Sequence, residues 1–308
     1  MGKLRNNLNP RAARPSVGAA VRTALVHLTI GLLLLGGLGA AYWFARLHVE
    51  GKLAFTVDPP RIILLNRPGW MSDAAAEELI RALRPATGSS AFDTGVLQSR
   101  AAIARASPWV KRVRSVRRAF HRSAGDVIEV DCEYRAPLAV VHWQDYFWLV
   151  DEDAYKLPEQ YTLEQIPALL IDRDRRTQLR IIENVAHPPV ESGRKWPGED
   201  LSAGLELARL LHGQRFADEI VKIDVANFAG RVDPREAQLT LITKYGTEIR
   251  WGRPISAKDA FVEVPPARKL EALAEIFQKF HRIDANQPWL DIRYDQITYP
   301  SAHVDGPR

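Results

Sequence analysis

Hydrophobic and polar positions alternate with three different periods along this chain. From Thr23 to Ala45 there is no period at all: the run is apolar, with a single histidine, His27, inside it. Twenty-three residues of helix reach ~34 Å at ~1.5 Å each, enough to cross a hydrocarbon core of about 30 Å. Tyr42, Trp43 and Phe44 close the run like an interfacial aromatic belt, and Arg46 stands just beyond. A helical period follows at Ala76, Leu79, Ile80 and Leu83, with Ser72 as its cap and Pro85 as its stop. A second helix, capped by Asp93, aligns Leu97, Ala101 and Ala104 and ends at Ser107-Pro108. Strand-like runs lie at Arg61 to Asn66, Val110 to Arg118 and Val127 to Tyr134, with Pro68-Gly69 as a turn signal. The order β-α-α-β-β predicts a small sheet with two helices on one face.

From Pro137 onward the two-residue period dominates. Leu138 to Val141 and Tyr146 to Val150 flank the polar Gln144-Asp145 and predict a hairpin. Ile166 to Ile171, Arg180 to Glu183, Val221 to Val225, Leu239 to Thr243 and Thr247 to Trp251 are further strand candidates. Helices are expected from Asp200 or Ser202 to Leu211, and from Ala267 to His281 with Leu270, Leu273, Ala274 and Phe277 inward. The last strand is placed at Leu290 to Tyr299, where the apolar parity slips once, so a bulge near Asp295-Gln296 is expected. The fold class is therefore α+β. A basic tail at 1–22, with no apolar period, reads as disordered. A transmembrane helix at 23–45, a compact βααββ module at 57–135, a β-rich domain with two helices at 136–300 and a flexible end at 301–308 complete the reading.

Charge fixes the expected orientation. Lys3, Arg5, Arg11, Arg14 and Arg22 precede the apolar run, and no acidic residue occurs before Glu50. The basic flank should stay in the cytoplasm and the bulk of the chain cross the membrane. A cleaved leader is the competing reading, supported by Leu32 to Leu35 and the small Gly39, Ala40 and Ala41. The apolar run exceeds the 7–15 residues of a leader core, which favours a retained anchor. The net charge is +5, but residues 1–49 hold six basic and no acidic side chains, leaving −1 for the rest. The high isoelectric point thus comes from the membrane flank, and nucleic-acid binding is set aside. One cysteine, Cys132, allows no internal disulfide. Its alternation with Ile128, Val130 and Tyr134 predicts a buried thiol.

Several stretches, in order, resemble the FtsQ/DivIB family of bacterial cell-division proteins. Ser107-Pro108-Trp109-Val110 with Val113 and Val116-Arg117-Arg118 is similar to the start of that family's second POTRA strand. Glu133-Tyr134-Arg135-Ala136-Pro137-Leu138-Ala139 resembles its module junction, and Leu149-Val150-Asp151 its hairpin. Tyr245 to Gly252 and Leu290-Asp291-Ile292-Arg293-Tyr294 resemble its later strands. Two departures are Asn66-Arg67-Pro68-Gly69, with displaced spacing, and Ala154 where the hairpin commonly has Gly. The resemblance implies a POTRA-like module and a non-enzymatic scaffold at the division site of the bacterial inner membrane. Its partners would be FtsB-like and FtsL-like bitopic proteins, and it would help regulate septal peptidoglycan synthesis. It also implies that the terminal strand pairs with a partner segment, with Arg293, Tyr294, Ile297, Thr298 and Tyr299 as the contact residues.

Few residues carry chemistry of their own. The eight histidines are scattered, none spaced i, i+4 from another, and no nucleotide or nucleophile motif occurs. No catalytic, cofactor or metal residue is nominated. His142-Trp143 with Asp151-Glu152-Asp153 lacks a nucleophile, and Asp172 to Arg176 reads as a solvated loop. Lys111, Arg112, Arg114, Arg117 and Arg118 form a candidate patch for an anionic surface, although one charged strand face is also what alternation produces. The alternatives to a scaffold are an anchored envelope enzyme and a POTRA-bearing envelope-assembly component. The first needs a polar pocket. The second needs tandem modules or a strand-only barrel.

Overall fold

The computed structural model describes residues 17–52, 60–86, 94–119, 127–167, 179–258 and 263–300. The first helix, α1, spans Val17–Lys52. It holds a segment, Ala24–His48, long and apolar enough to cross a membrane. It starts earlier than expected, because no proline or glycine pair interrupts Val17 to Arg22 once Pro15 is passed.

The next unit comprises β1 (Arg61–Leu65), α2 (Asp73–Leu83), α3 (Thr94–Ala106), β2 (Val110–Ala119) and β3 (Val127–Tyr134). Its sheet has the order β1-β3-β2, with β1 parallel and β2 antiparallel to β3. Ser72 caps α2 as expected, its Oγ accepting the Ala75 N–H at 3.1 Å. The cap expected at Asp93 lies outside the described residues. Ile62, Leu79, Leu83, Val110, Ile128, Val130 and Cys132 form the core between helices and sheet. Val110, Val113 and Val116 recur every third residue yet all face this core, because β2 slips register against β3 twice.

The second unit is one mixed sheet in the order β11-β10-β9-β8-β7-β4-β5-β6. Its strands are β4 (Pro137–Trp143), β5 (Tyr146–Asp151), β6 (Lys156–Tyr161), β7 (Arg180–Glu183), β8 (Ile220–Asp224), β9 (Leu239–Thr243), β10 (Glu248–Gly252) and β11 (Trp289–Asp291). Parallel neighbours need a crossover. The helix α4 (Glu199–Leu211) supplies it between β7 and β8, and α5 (Pro266–Phe280) between β10 and β11. Both helices cover one face, where Ile182, Leu205, Ile223, Leu241, Trp251, Leu273 and Leu290 are packed. On α5 the buried positions are Lys269, Leu273 and Ile276, whereas Ala274, expected inward, is exposed.

At the other face, Met71, Ala75 and Ala76 of the first unit, with Trp109, pack on Val140, Phe147, Leu149 and Leu157. Large apolar side chains buried this way stabilise the junction by roughly 1.5–3 kcal/mol each. Polar clamps flank it: Ser72 Oγ donates to Glu159 at 2.7 Å, and Arg135 meets the buried Asp151 at 2.7 Å. Ala154 sits at φ +65° in the turn before β6. The backbone conformation explains why glycine is favoured at such a place.

Two strand expectations change. Lys156–Tyr161 was not anticipated, because Pro158 makes the run read as irregular; it is an edge strand, where proline is tolerated. Of the proposed Ile166–Ile171 strand, Ile166 and Pro167 are helical and the rest lies outside the described residues.

Candidate functional site

The terminal strand is shorter than its sequence pattern. Only Trp289–Asp291 pairs with β10. The chain then reverses, and Thr298 returns to bridge Asp291 in antiparallel register. The parity slip expected to be a bulge is this reversal.

Buried charge holds the reversal in shape. The Arg293 guanidinium grips the Asp291 carboxylate twice, Nη2 to Oδ2 at 2.7 Å and Nε to Oδ1 at 3.0 Å. Its Nη1 donates to the Arg235 carbonyl at 2.8 Å, and its own carbonyl accepts the Val264 N–H at 2.8 Å. Hydrogen bonding to Asp291 pushes the Arg293 pKa up. Arg293 is therefore a brace beneath the segment, buried at 8% exposure, and its charge does not face outward. Tyr294, Thr298 and Tyr299 are exposed, and Ile297 is half-buried against the core.

Backbone geometry defines an open edge. Glu248 N–H donates to the Pro288 carbonyl and Ile292 N–H to the Arg250 carbonyl, so Trp289 and Asp291 aim their backbone groups outward. Thr298 satisfies Asp291 with both of its own groups, N–H to O distances being 2.8 and 3.1 Å. The next rung would oppose Trp289 with Pro300, which has no N–H to give, and the bridge stops at one residue pair. With Thr298 turned inward, Ile297 and Tyr299 present their backbone groups on the outermost line.

Beside this line lies a cavity of about 340 Å³ between α5 and the terminal segment. Ile276 and Phe280 wall it on the helix side, Leu290, Ile297 and Tyr299 on the sheet side, and Lys279 stands at its rim. Phe280 is 43% and Tyr299 57% exposed, so large apolar groups face open space here. Sequence reasoning found Ile297 and Tyr299 but missed Ile276 and Phe280. The available signal was that these two fall beside the Leu270–Leu273–Phe277 stripe and widen it past one face.

The basic strand residues are mostly engaged. Lys111 bonds Glu152 and Asp153, both at 2.9 Å, and the hydrogen bond to Asp153 followed by that to Glu152 raises its pKa. Arg112 pairs with Glu133 at 2.9 Å, Arg114 stands 4.0 Å from the same carboxylate, and Arg117 pairs with Glu129 at 2.8 Å. Arg118 is half-buried. The five do not form one free cationic face.

His142 and Asp151 lie at opposite ends of the β4–β5 ladder, His142 opposite Phe147 and Asp151 opposite Pro137. His142 stacks on Phe147 at 4.4 Å, and Asp151 is held by Arg135. They are not brought together. The Asp172 to Arg176 knot lies outside the described residues. Among the described residues no group of three His, Cys, Asp or Glu is placed to hold a metal ion. Cys132 is buried, and desolvation pushes its thiol up to about 11.

No family model matches the chain. No curated protein matches it either.

Proposed function

We propose that this chain is a membrane-anchored, non-catalytic scaffold that offers the terminal edge of its large sheet to an extended partner segment. The observation that carries the reading is the juxtaposition of an unpaired strand edge at Ile297 and Tyr299 with an apolar cavity against α5. An added strand gains affinity from main-chain hydrogen bonds, and its alternate side chains gain selectivity from pockets on one face. Here that pocket face is the α5 side. Tyr294, Ile297, Thr298 and Tyr299 would meet the partner directly, with Arg293 and Asp291 fixing the turn that presents them.

In this proposal α1 spans the inner membrane with its N-terminus in the cytoplasm, and the two-sheet body is periplasmic. The β1-α2-α3-β2-β3 unit serves as a POTRA-type module. The resemblance to FtsQ/DivIB proteins supplies the partners: small bitopic division proteins of the FtsB and FtsL kind, acting together on septal peptidoglycan synthesis. A fluorescent fusion of the full chain should gather at the septum, and depletion should give filamentous cells. Co-purification of the bitopic partners should survive in the parent chain and fail in Thr298→Pro. Uniform envelope fluorescence with normal septation would overturn the division role. Undiminished co-purification with Thr298→Pro would overturn the docking edge.

A further inference from the structure

The charge of the first unit is not spread evenly. Residues 53–135 carry 13 basic and nine acidic side chains, whereas 136–308 carry 22 and 27. Topology gathers part of that excess at one end. Arg61 stands opposite Val127, which stands opposite Ala119, and one and two residues further in, Arg118 and Arg117 oppose Ile128 and Glu129. The helix α2 runs from the junction with the second unit, where Met71, Ala75 and Ala76 pack, back to Leu83 in the first unit's own core. Its acidic residues Asp73, Glu77 and Glu78 precede its basic ones, Arg81 at the last turn and Arg84 at the cap. Arg100 of α3 reaches the Arg84 carbonyl at 3.1 Å, which brings a further guanidinium to this end. Arg61, Arg81 and Arg84 are exposed, and Glu129, 14% exposed and paired with Arg117, is the carboxylate of β3 beside them.

The end where these arginines meet is also the end at which the chain arrives. Only residues 53–60 separate Lys52, the last residue of α1, from Arg61. Fully extended, that connection reaches at most about 30 Å. On the reading that α1 spans a bilayer, we infer that the Arg61–Arg81–Arg84 end of the first unit rests on the anionic phospholipid headgroups of the same membrane. The lipid supplies negative charge to the three arginines, and the short connection holds them within its reach. Docking would fix the tilt of both units over the membrane, because the buried junction ties the second unit to the first.

The test uses the full chain reconstituted into vesicles. Cys132 is buried, so a bimane fluorophore can be placed on Ala82→Cys, an exposed position between the arginines. Headgroup-nitroxide lipid then reports proximity by quenching. In vesicles with phosphatidylglycerol at low salt the label should be quenched, and in all-phosphatidylcholine vesicles or at high salt it should not. Replacing Arg61, Arg81 and Arg84 with Gln should lower the docked-to-free ratio roughly five-fold per arginine. Replacing the distant, exposed Lys195 and Arg215 with Gln should leave it unchanged, and thermal melts should match the parent in both cases. Equal quenching in both lipids, or quenching indifferent to the triple change, overturns the inference. Release of the chain by carbonate wash would instead refute the anchor reading on which it rests.

Discussion

The two outer strands of the large sheet, β6 and β11, face the same hazard in opposite ways. Each exposes a row of backbone donors and acceptors that any extended chain could pair with. On β6 the row is closed. Lys156 exchanges backbone bonds with Arg194 and Gly193 at 3.0 and 2.7 Å, and Tyr155 bridges Lys195. Pro158, two residues on and so facing the same way, has no donor, and Glu159 is tied to Ser72 of the first unit. On β11 the row is closed at one pair alone, Asp291 with Thr298, and then stops at Pro300. The sealed edge lies against the first unit. The open edge lies farthest from it, beside a cavity with Phe280 and Tyr299 at its lip. The sheet guards one flank with proline, a loop and a neighbouring unit and leaves the other flank bare next to an apolar hollow, and the proposed function places the partner on that bare flank.

The contrast can be broken first through the brace. Asp291 and Arg293 have side chains only 6% and 10% exposed. Asp291→Ala leaves a buried guanidinium without its carboxylate and should cost roughly 3 kcal/mol or more in a urea melt, with partner binding lost too. A cost under about 1 kcal/mol would show that the turn does not depend on this pair. Thr298→Pro is gentler on the fold, since one bridging N–H is removed at the surface. Stability should fall by about 1 kcal/mol while partner affinity drops at least about tenfold. Gln160→Lys at the sealed edge should leave that affinity unchanged, and a matching drop there would abolish the distinction between the flanks.

The cavity gives a smaller effect. Phe280→Ala removes a half-exposed wall, so stability should move by less than about 1 kcal/mol and partner affinity by about tenfold. Smallest of all is the acid response of the polar clamp between the units. The hydrogen bond and charge of Lys111 hold Asp153 below the usual carboxylate range. A depressed folded-state pKa contributes stability above the unfolded value of about 3.9, and this is lost as pH falls through the folded value. Both side chains are a third to a half exposed, so the loss below about pH 4 should stay under about 1 kcal/mol and vanish in Lys111→Gln. An equal acid response in Lys111→Gln would assign it to other carboxylates.

How much of this was readable from sequence follows from which interactions are local. The anchor-length run, the Ser72 cap and the strands at 127–134 and 239–243 were legible, because each depends on neighbours a few residues away. Lys156–Tyr161 was hidden by Pro158: the proline that argues against a strand is also what makes a safe edge. The reversal after Asp291 was visible as a phase slip, but its direction was not. The choice between bulge and turn is made by the Arg293 carbonyl bonding Val264 and its guanidinium bonding Arg235, residues 29 and 58 positions away. The resemblance implied Arg293 as a partner contact, and the turn took it inward. The basic strand looked free in sequence because its counter-charges, Glu129, Glu133, Glu152 and Asp153, come from strands and turns later in the chain.

Hydrogen exchange on the full chain, alone and bound to a bitopic division partner, tests the central claim most directly. The amides of Trp289, Ile297 and Tyr299 should slow markedly in the complex, while those of Leu157 to Tyr161 keep their free-state rates. Protection appearing on the β6 flank, or a complex that forms with the terminal amides exchanging as before, would contradict it.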